Sequence, residues 1–166
     1  MTRLSYQTHR GKNATILGAL LGSLLVGSVA WAEQPVPFIM TTEIVFPQGS
    51  GVFLVHEPAW ICPSGTFETL SGSETPPQAG AFVAKAIVEY TCDNGSGSFR
   101  LRVHPQVNYG TQGNGFVVSG PWTARPGGTG DYTDLRGQGT LGFDFTGFDD
   151  NTGEVFGVES FVGHVQ

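Results

Sequence analysis

The segment from Pro126 to Leu141 constrains the fold of this chain more than any other. Five glycines frame one short turn: Gly127, Gly128, Gly130, Gly137 and Gly139. Glycine is used where the backbone has a positive φ or passes close to another strand. Within the turn, Tyr132 and Leu135 are three residues apart, so one helical turn would place both on the same side, where they could close an end of a barrel. The segment therefore predicts a tightly folded corner of a β-structure.

Residues 1–32 have the features of a secretory signal peptide. Three basic residues precede an apolar run from Ile16 to Ala30, and the run ends in the small-residue motif Ala30-Trp31-Ala32. The run is shorter than the ~20 apolar residues that span a bilayer. We therefore predict cleavage after Ala32, which leaves residues 33–166 as a single soluble domain, secreted or periplasmic, with no membrane span.

The exported part is acidic and contains both cysteines. The net charge of the whole chain is −6, and loss of the three basic residues takes it to −9. This balance argues against nucleic acid or an anionic membrane surface as a partner, because both select a basic face. An oxidising compartment favours a disulfide between Cys62 and Cys92, since neither cysteine has the C-x-x-C spacing or the neighbouring histidine of a redox or metal pair.

The pattern after residue 33 indicates an all-β domain, because short β-branched and aromatic runs alternate with Gly, Pro, Asn and Asp clusters. We predict strands over 36–46, 51–57, 59–69, 81–92, 97–104, 115–124, 138–147 and 154–165. The polar, proline-containing segment 70–80 is predicted to be a loop. Alternation predicts that Phe99, Leu101 and Val103 face inward and that Arg100, Arg102 and His104 face outward. Eight strands suit a small antiparallel barrel.

Two segments resemble known β-barrel proteins. Gly128 to Gly139 resembles the Gly-Thr-Gly-x-(aromatic)-x-x-x-x-Gly segment of the allene oxide cyclase and dirigent barrels. It is more similar to secreted bacterial proteins of uncharacterised function that share Gly-Thr-Gly-x-Tyr-x-x-Leu-x-Gly, and Cys92 to Phe99 is similar to their Cys-Asp-x-Gly-Ser-Gly-x-Phe segment. The resemblance implies an antiparallel barrel whose fold motif comprises Gly128, Gly130, Tyr132, Leu135, Gly137 and Gly139. It carries no catalytic residue onto this chain.

The sequence contains no specific catalytic signature. His56, His104 and His164 lack metal-ligand spacing, so no metal or other cofactor is predicted. Ser64 and Ser119 lack the G-x-S-x-G elbow of a hydrolase. Carboxylates available for paired-carboxylate chemistry lie near the C-terminus: Asp144, Asp149, Asp150, Glu154 and Glu159. The segment from Asp149 to Gly153 is typical of a polar hairpin turn, with a loose calcium site as the weaker alternative.

A ligand pocket inside the barrel would be lined by aromatic side chains. The candidates are Phe82, Tyr90, Phe99, Trp122, Phe143 and Phe145. The strongest hint of function would be an inward-pointing charge, for which Glu89, Arg100 or Arg102 would have to turn against its predicted phase.

We predict a non-catalytic exported barrel protein that binds a small apolar ligand or a protein partner. An isomerase or cyclase acting on a small apolar substrate in the barrel, and a dirigent-like structural oligomer, remain as alternatives. A hollow barrel with a buried ionisable group would favour the enzyme, and a hollow, purely apolar one a carrier. A filled interior with an exposed apolar patch would favour an interaction protein.

Overall fold

The structure is a computed structural model that describes residues 34–75, 81–109 and 116–166. The predicted signal peptide lies outside the described residues. The described residues form nine strands: β1 (Val36–Phe46), β2 (Ser50–Glu57), β3 (Ser64–Glu74), β4 (Ala81–Cys92), β5 (Gly97–Val103), β6 (Gln106–Tyr109), β7 (Phe116–Gly130), β8 (Gly137–Asp149) and β9 (Glu154–Val165). No helix within these ranges is long and apolar enough to cross a membrane.

The strands close into an antiparallel barrel, as the sequence predicts. Neighbours run in the order β3, β2, β1, β9, β8, β7, β5, β4, and pairing of β4 with β3 completes the circle. The short β6 pairs with β4 and β7 and so continues the position of β5 in the sheet. The interruption between β5 and β6 falls at Pro105, whose ring nitrogen has no proton to donate to a neighbouring strand. The result is an eight-stranded barrel with one additional strand.

Several strand predictions differ from the structure. The strand predicted over 115–124 continues as β7 to Gly130, so Gly127, Gly128 and Gly130 lie in a strand that leads into the turn. The strand predicted over 59–69 instead spans Ser64–Glu74, because the preceding residues form a turn that buries Ile61 and Cys62. Part of the predicted 70–80 loop is therefore strand, held to β4 across a bulge between Thr69 and Ser71. The last difference is β6, which is absent from the prediction because four residues carry too little alternation to stand out.

The inward faces of the strands meet in an aromatic core at the end of the barrel that holds the glycine-rich corner. This closed end is defined by Phe38, Trp122, Tyr132, Phe161 and Val165, all nearly inaccessible to solvent. The predicted inward phase of Phe99, Leu101 and Val103 is confirmed by their burial. Cys62 and Cys92 form a disulfide that ties the turn before β3 to the end of β4.

Tyr132 closes this end from the glycine-rich turn, with its ring centroid 5.8 Å from that of Phe99. Its hydroxyl accepts a hydrogen bond from the Cys62 N–H at 2.9 Å. Gly139, which follows the turn, has to be a glycine because an added Cβ there would lie 2.7 Å from Nε1 of Trp122. The Trp122 indole N–H donates to the carbonyl of Thr140 at 3.1 Å, so the missing side chain permits this close packing.

Candidate functional site

The opposite end of the barrel, here called the open end, is defined by Phe46, Phe143, Phe145 and Phe148. All four lie on β1 and β8, and register places Phe143 and Phe145 on the inward phase opposite Glu159 and Gly157. Phe46, Phe145 and Phe148 are nevertheless 40%, 46% and 55% exposed, whereas Phe38 and Phe161 at the closed end are 0% exposed. The open end therefore presents an accessible apolar rim to solvent.

Glu159 is the inward-pointing charge at the start of this open half. It lies on β9 directly opposite Thr42 on β1. Each of the two lies two residues nearer the open end than a core residue of its own strand, which is Phe161 for Glu159 and Met40 for Thr42. The Thr42 hydroxyl, itself 1% exposed, donates to Oε2 of Glu159 at 3.0 Å. Glu159 is partly buried as a residue, and its carboxyl lies in a largely desolvated environment.

Burial changes the protonation of Glu159. Desolvation raises the pKa of its carboxyl from 4.5 to about 7, against the opposing effect of the Thr42 hydrogen bond. A carboxyl with this pKa is present in both its neutral and its charged form near neutral pH. It can therefore accept hydrogen bonds, donate one, or exchange a proton with a bound molecule.

Tyr90 supplies a second buried polar group, and its hydroxyl interacts electrostatically with Glu159. Its ring stacks on Phe99 with centroids 5.0 Å apart and contacts the edges of Phe53 and Phe161, which fixes its position. Burial, and then the charge of Glu159, raise the pKa of the Tyr90 hydroxyl well above its usual value. This hydroxyl is buried and has no hydrogen-bond partner within the part of the chain that the structure describes.

An unpartnered buried hydroxyl costs about 1–3 kcal/mol in lost hydration, so it is uncommon without a compensating role. Here it lies near a carboxyl group whose pKa is strongly perturbed, and such pairs concentrate at functional sites. Together Glu159, Thr42 and Tyr90 form the polar anchor, a name used below for these three side chains.

The predicted pocket residues are divided between the two halves. Phe99 and Trp122 are fully buried in the closed-end core, and Tyr90 belongs to that core through its ring and to the polar anchor through its hydroxyl. Phe143 is partly buried in the open half, and its ring lies over Gly157, where a Cβ would collide with it. Phe145 stands on the rim, and Phe82 is partly buried near the start of β4.

Sequence reasoning missed Glu159 and Thr42 as site residues. Glu159 entered only as one of several C-terminal carboxylates, and the charges expected to turn inward were others. Arg100 and Glu89 pair with each other at 2.8 Å on the outer face, and Arg102 also keeps its outward phase. The available signal was that Gly157, Glu159 and Phe161 alternate along one face of β9. Valines at the intervening outward positions obscured this signal, because with them the outward face is not clearly more polar than the inward face.

The remaining candidates do not converge. Asp149 caps the hairpin turn, because its carboxylate accepts hydrogen bonds from the N–H groups of Asn151 and Thr152, and the first of these lowers its pKa most. His56 bonds to the hydroxyl of Thr41. Across the described ranges, no three His, Cys, Asp or Glu side chains are grouped as a metal site would require.

A surface depression of about 680 Å³ lies outside the closed end, beside the glycine-rich turn. It is lined by Gln34, Val36, Trp60, Gly130, Asp131, Thr133, Asp134, Leu135 and Gln166. It lies at the other end of the barrel from the polar anchor, so the anchor and the open end remain the candidate site.

The chain matches no protein-family model, no curated protein and no solved structure at a significant level. The resemblance to allene oxide cyclase and dirigent barrels therefore stays a prediction that depends on the quoted motifs alone.

Proposed function

We propose that the open half of the barrel binds a small, largely apolar ligand and that the polar anchor holds the polar group of that ligand. The observation that carries the proposal is the Tyr90 hydroxyl, which has no hydrogen-bond partner among the described residues, together with the perturbed carboxyl of Glu159 that acts on it electrostatically. The apolar rim at Phe46 and Phe145 supports it, because most of the contact area of a small-molecule site is apolar, with few polar groups to fix orientation.

We also propose that the protein acts outside the cytoplasm, in the periplasm or in secreted form. The disulfide between Cys62 and Cys92 supports this, since such bonds persist in oxidising compartments. In this setting, the barrel would hold or deliver its ligand at the cell envelope without transforming it.

Dye titration tests ligand binding directly. The purified protein would be titrated with N-phenyl-1-naphthylamine, an uncharged apolar dye whose fluorescence rises when it leaves water. We expect saturable binding that is lost in Ala86→Trp, because Ala86 lies on the inward phase of β4 and a large ring there would occupy the open half. The matched control is Ile87→Trp, one residue along on the outer face, which should bind as the wild type does.

Ala86→Trp tests the site only if it folds, so a second measurement uses the unaltered protein. The pKa of Glu159 would be followed by carbon-13 NMR of its carboxyl with and without dye. Further burial on binding should raise this pKa. Absence of saturable binding, or an unchanged Glu159 pKa together with equal affinity in both tryptophan variants, would contradict the proposal.

A second candidate is an enzyme that moves a proton on its bound substrate. The observation that favours it is the pKa of Glu159 at about 7, where a carboxyl is suited to both donating and accepting a proton. Compounds that co-purify with the protein would serve as test substrates. An enzyme requires that Glu159→Gln retain the compound and abolish its conversion, whereas a carrier should show no conversion in either form.

A further inference from the structure

A basic groove crosses β3, β4 and β5 on the outer face of the barrel, away from the interior site. Its volume is about 500 Å³. The lining residues are Ser71, Gly72, Ser73, Lys85, Ala86, Ile87, Arg102 and His104. We propose that this groove binds a phosphate or sulfate monoester carried on a small polar molecule such as a sugar.

Strand register brings these side chains together. Lys85 lies opposite Ser73, and Ile87 lies opposite Ser71 on one side and Arg102 on the other. The bulge after Thr69 shifts β3 by one residue, which turns both serines to the outer face. Without this bulge the serines would face the barrel interior, so the irregularity in β3 builds the hydroxyl side of the groove.

The groove concentrates positive charge in a chain whose net charge is −6. Lys85 and Arg102 form no ion pair with any other described residue, and the one arginine nearby that does, Arg100, neutralises Glu89. Glu89 and its neighbour Glu68 are the acids on this face, four residues along β4 from Lys85. Unpaired cations held side by side repel each other, and a bound anion relieves that repulsion.

The donor set fits a tetrahedral oxyanion. Arginine and lysine form charge-assisted hydrogen bonds to phosphate and sulfate oxygens, and serine hydroxyls add neutral donors. The volume lies in the range of small-molecule sites, so it has room for an organic group as well as the anion. Ile87, which shares the outer face with Lys85 and Arg102, supplies an apolar contact for that group. The acidity of the rest of the protein disfavours long polyanions.

The test is calorimetric titration of the full-length protein at low ionic strength with glucose 6-phosphate, inorganic phosphate and glucose. We expect glucose 6-phosphate to bind more tightly than inorganic phosphate, and glucose to show no binding. Arg102→Gln should weaken glucose 6-phosphate binding about tenfold, the effect of losing hydrogen bonds to a charged group. Lys85→Gln provides an independent variant with the same expected direction.

The matched control is Arg136→Gln, which removes the same charge from an exposed position at the closed end. Its affinity should equal that of the wild type. Equal weakening by Arg136→Gln and Arg102→Gln would reduce the effect to overall charge and overturn the proposal. Absence of saturable binding, or binding only to phosphatidylglycerol vesicles and not to glucose 6-phosphate, would also overturn it.

Discussion

Tyr132 and Tyr90 are both buried tyrosines of the barrel interior, but within the described residues only the Tyr132 hydroxyl has hydrogen-bond partners. At the closed end, the Tyr132 hydroxyl accepts from the Cys62 N–H and lies 2.9 Å from the Ser96 hydroxyl. The Ser96 proton goes to Asn94, so Tyr132 donates its own proton to Ser96. The Tyr90 hydroxyl has no hydrogen-bond partner among the described residues, and the charge of Glu159 raises its pKa further.

The same contrast extends to the two ends as a whole. The closed end satisfies its polar groups, covers its aromatic rings and has a covalent crosslink. The open half leaves a hydroxyl unpartnered, holds a carboxyl whose ionisation is disfavoured and exposes its aromatic rim. Residues that stabilise the fold therefore concentrate at the closed end. Residues whose burial or exposure lowers the stability of the fold concentrate in the open half, as expected for a functional site.

The largest expected effect comes from removing the crosslink at the closed end. The disulfide joins residues 30 apart, for which the chain-entropy model gives a stabilisation of about 3.5 kcal/mol. Cys62→Ala/Cys92→Ala should lower the free energy of unfolding by about this amount, measured by urea denaturation. Dithiothreitol should lower the wild-type value similarly and leave the variant unchanged. A loss below about 1 kcal/mol would show that the closed end depends little on its crosslink.

Glu159 gives the next largest effect, and that effect depends on pH. Its folded pKa of about 7 lies above the usual 4.5, so between these values the folded protein binds more protons than the unfolded chain. The wild type should therefore lose up to about 3 kcal/mol of stability as pH rises from below 4.5 through 7.

Glu159→Gln should lack this loss, because glutamine stays neutral and can still accept the Thr42 hydrogen bond. Urea denaturation at pH 4.5 and pH 8 would measure the difference between the variant and the wild type. Glu43→Gln, an outward-phase carboxyl on β1, is the control and should follow the wild-type dependence. Parallel pH dependence in Glu159→Gln and wild type would show that the carboxyl of Glu159 is hydrated in solution.

Much of the closed end was predictable from sequence, whereas the open half was not. The glycines Gly137 and Gly139, the preceding Tyr132 and the alternation around Phe99 are local signals, and their packing follows from strand geometry. The disulfide was predicted from the expected oxidising compartment and the cysteine count.

The polar anchor depends instead on cross-strand register between β1, β4 and β9, which are far apart in sequence. Thr42 and Glu159 become neighbours only because β9 returns to pair with β1. Neither residue stands out in its own strand. Threonine favours strands, and because the outward face of β9 carries valines, polarity does not show which face of β9 is buried. The basic groove also depends on a nonlocal feature, the bulge that turns Ser71 and Ser73 outward.

The smallest expected effect separates the two tyrosines most directly. Tyr132→Phe leaves the buried Cys62 N–H without its acceptor, which should cost about 2 kcal/mol of stability. Tyr90→Phe removes a buried hydroxyl that has no partner among the described residues, so it should raise the free energy of unfolding by about 1 kcal/mol, the lower end of the cost of burying it, and should not lower it. Thermal and urea denaturation of both variants would measure this difference, with no ligand added.

A loss of 1 kcal/mol or more in Tyr90→Phe, on the scale of one buried hydrogen bond, would mean that water or a retained ligand satisfies the Tyr90 hydroxyl in the purified protein. Organic extraction before denaturation distinguishes these two cases. If extraction lowers wild-type stability to the level of Tyr90→Phe, the partner is a ligand, because a ligand bound only to the folded state stabilises it by mass action. If extraction has no effect, the partner is water. The polar anchor would then be filled by solvent, and the open half would differ from the closed end only in the exposure of its rim.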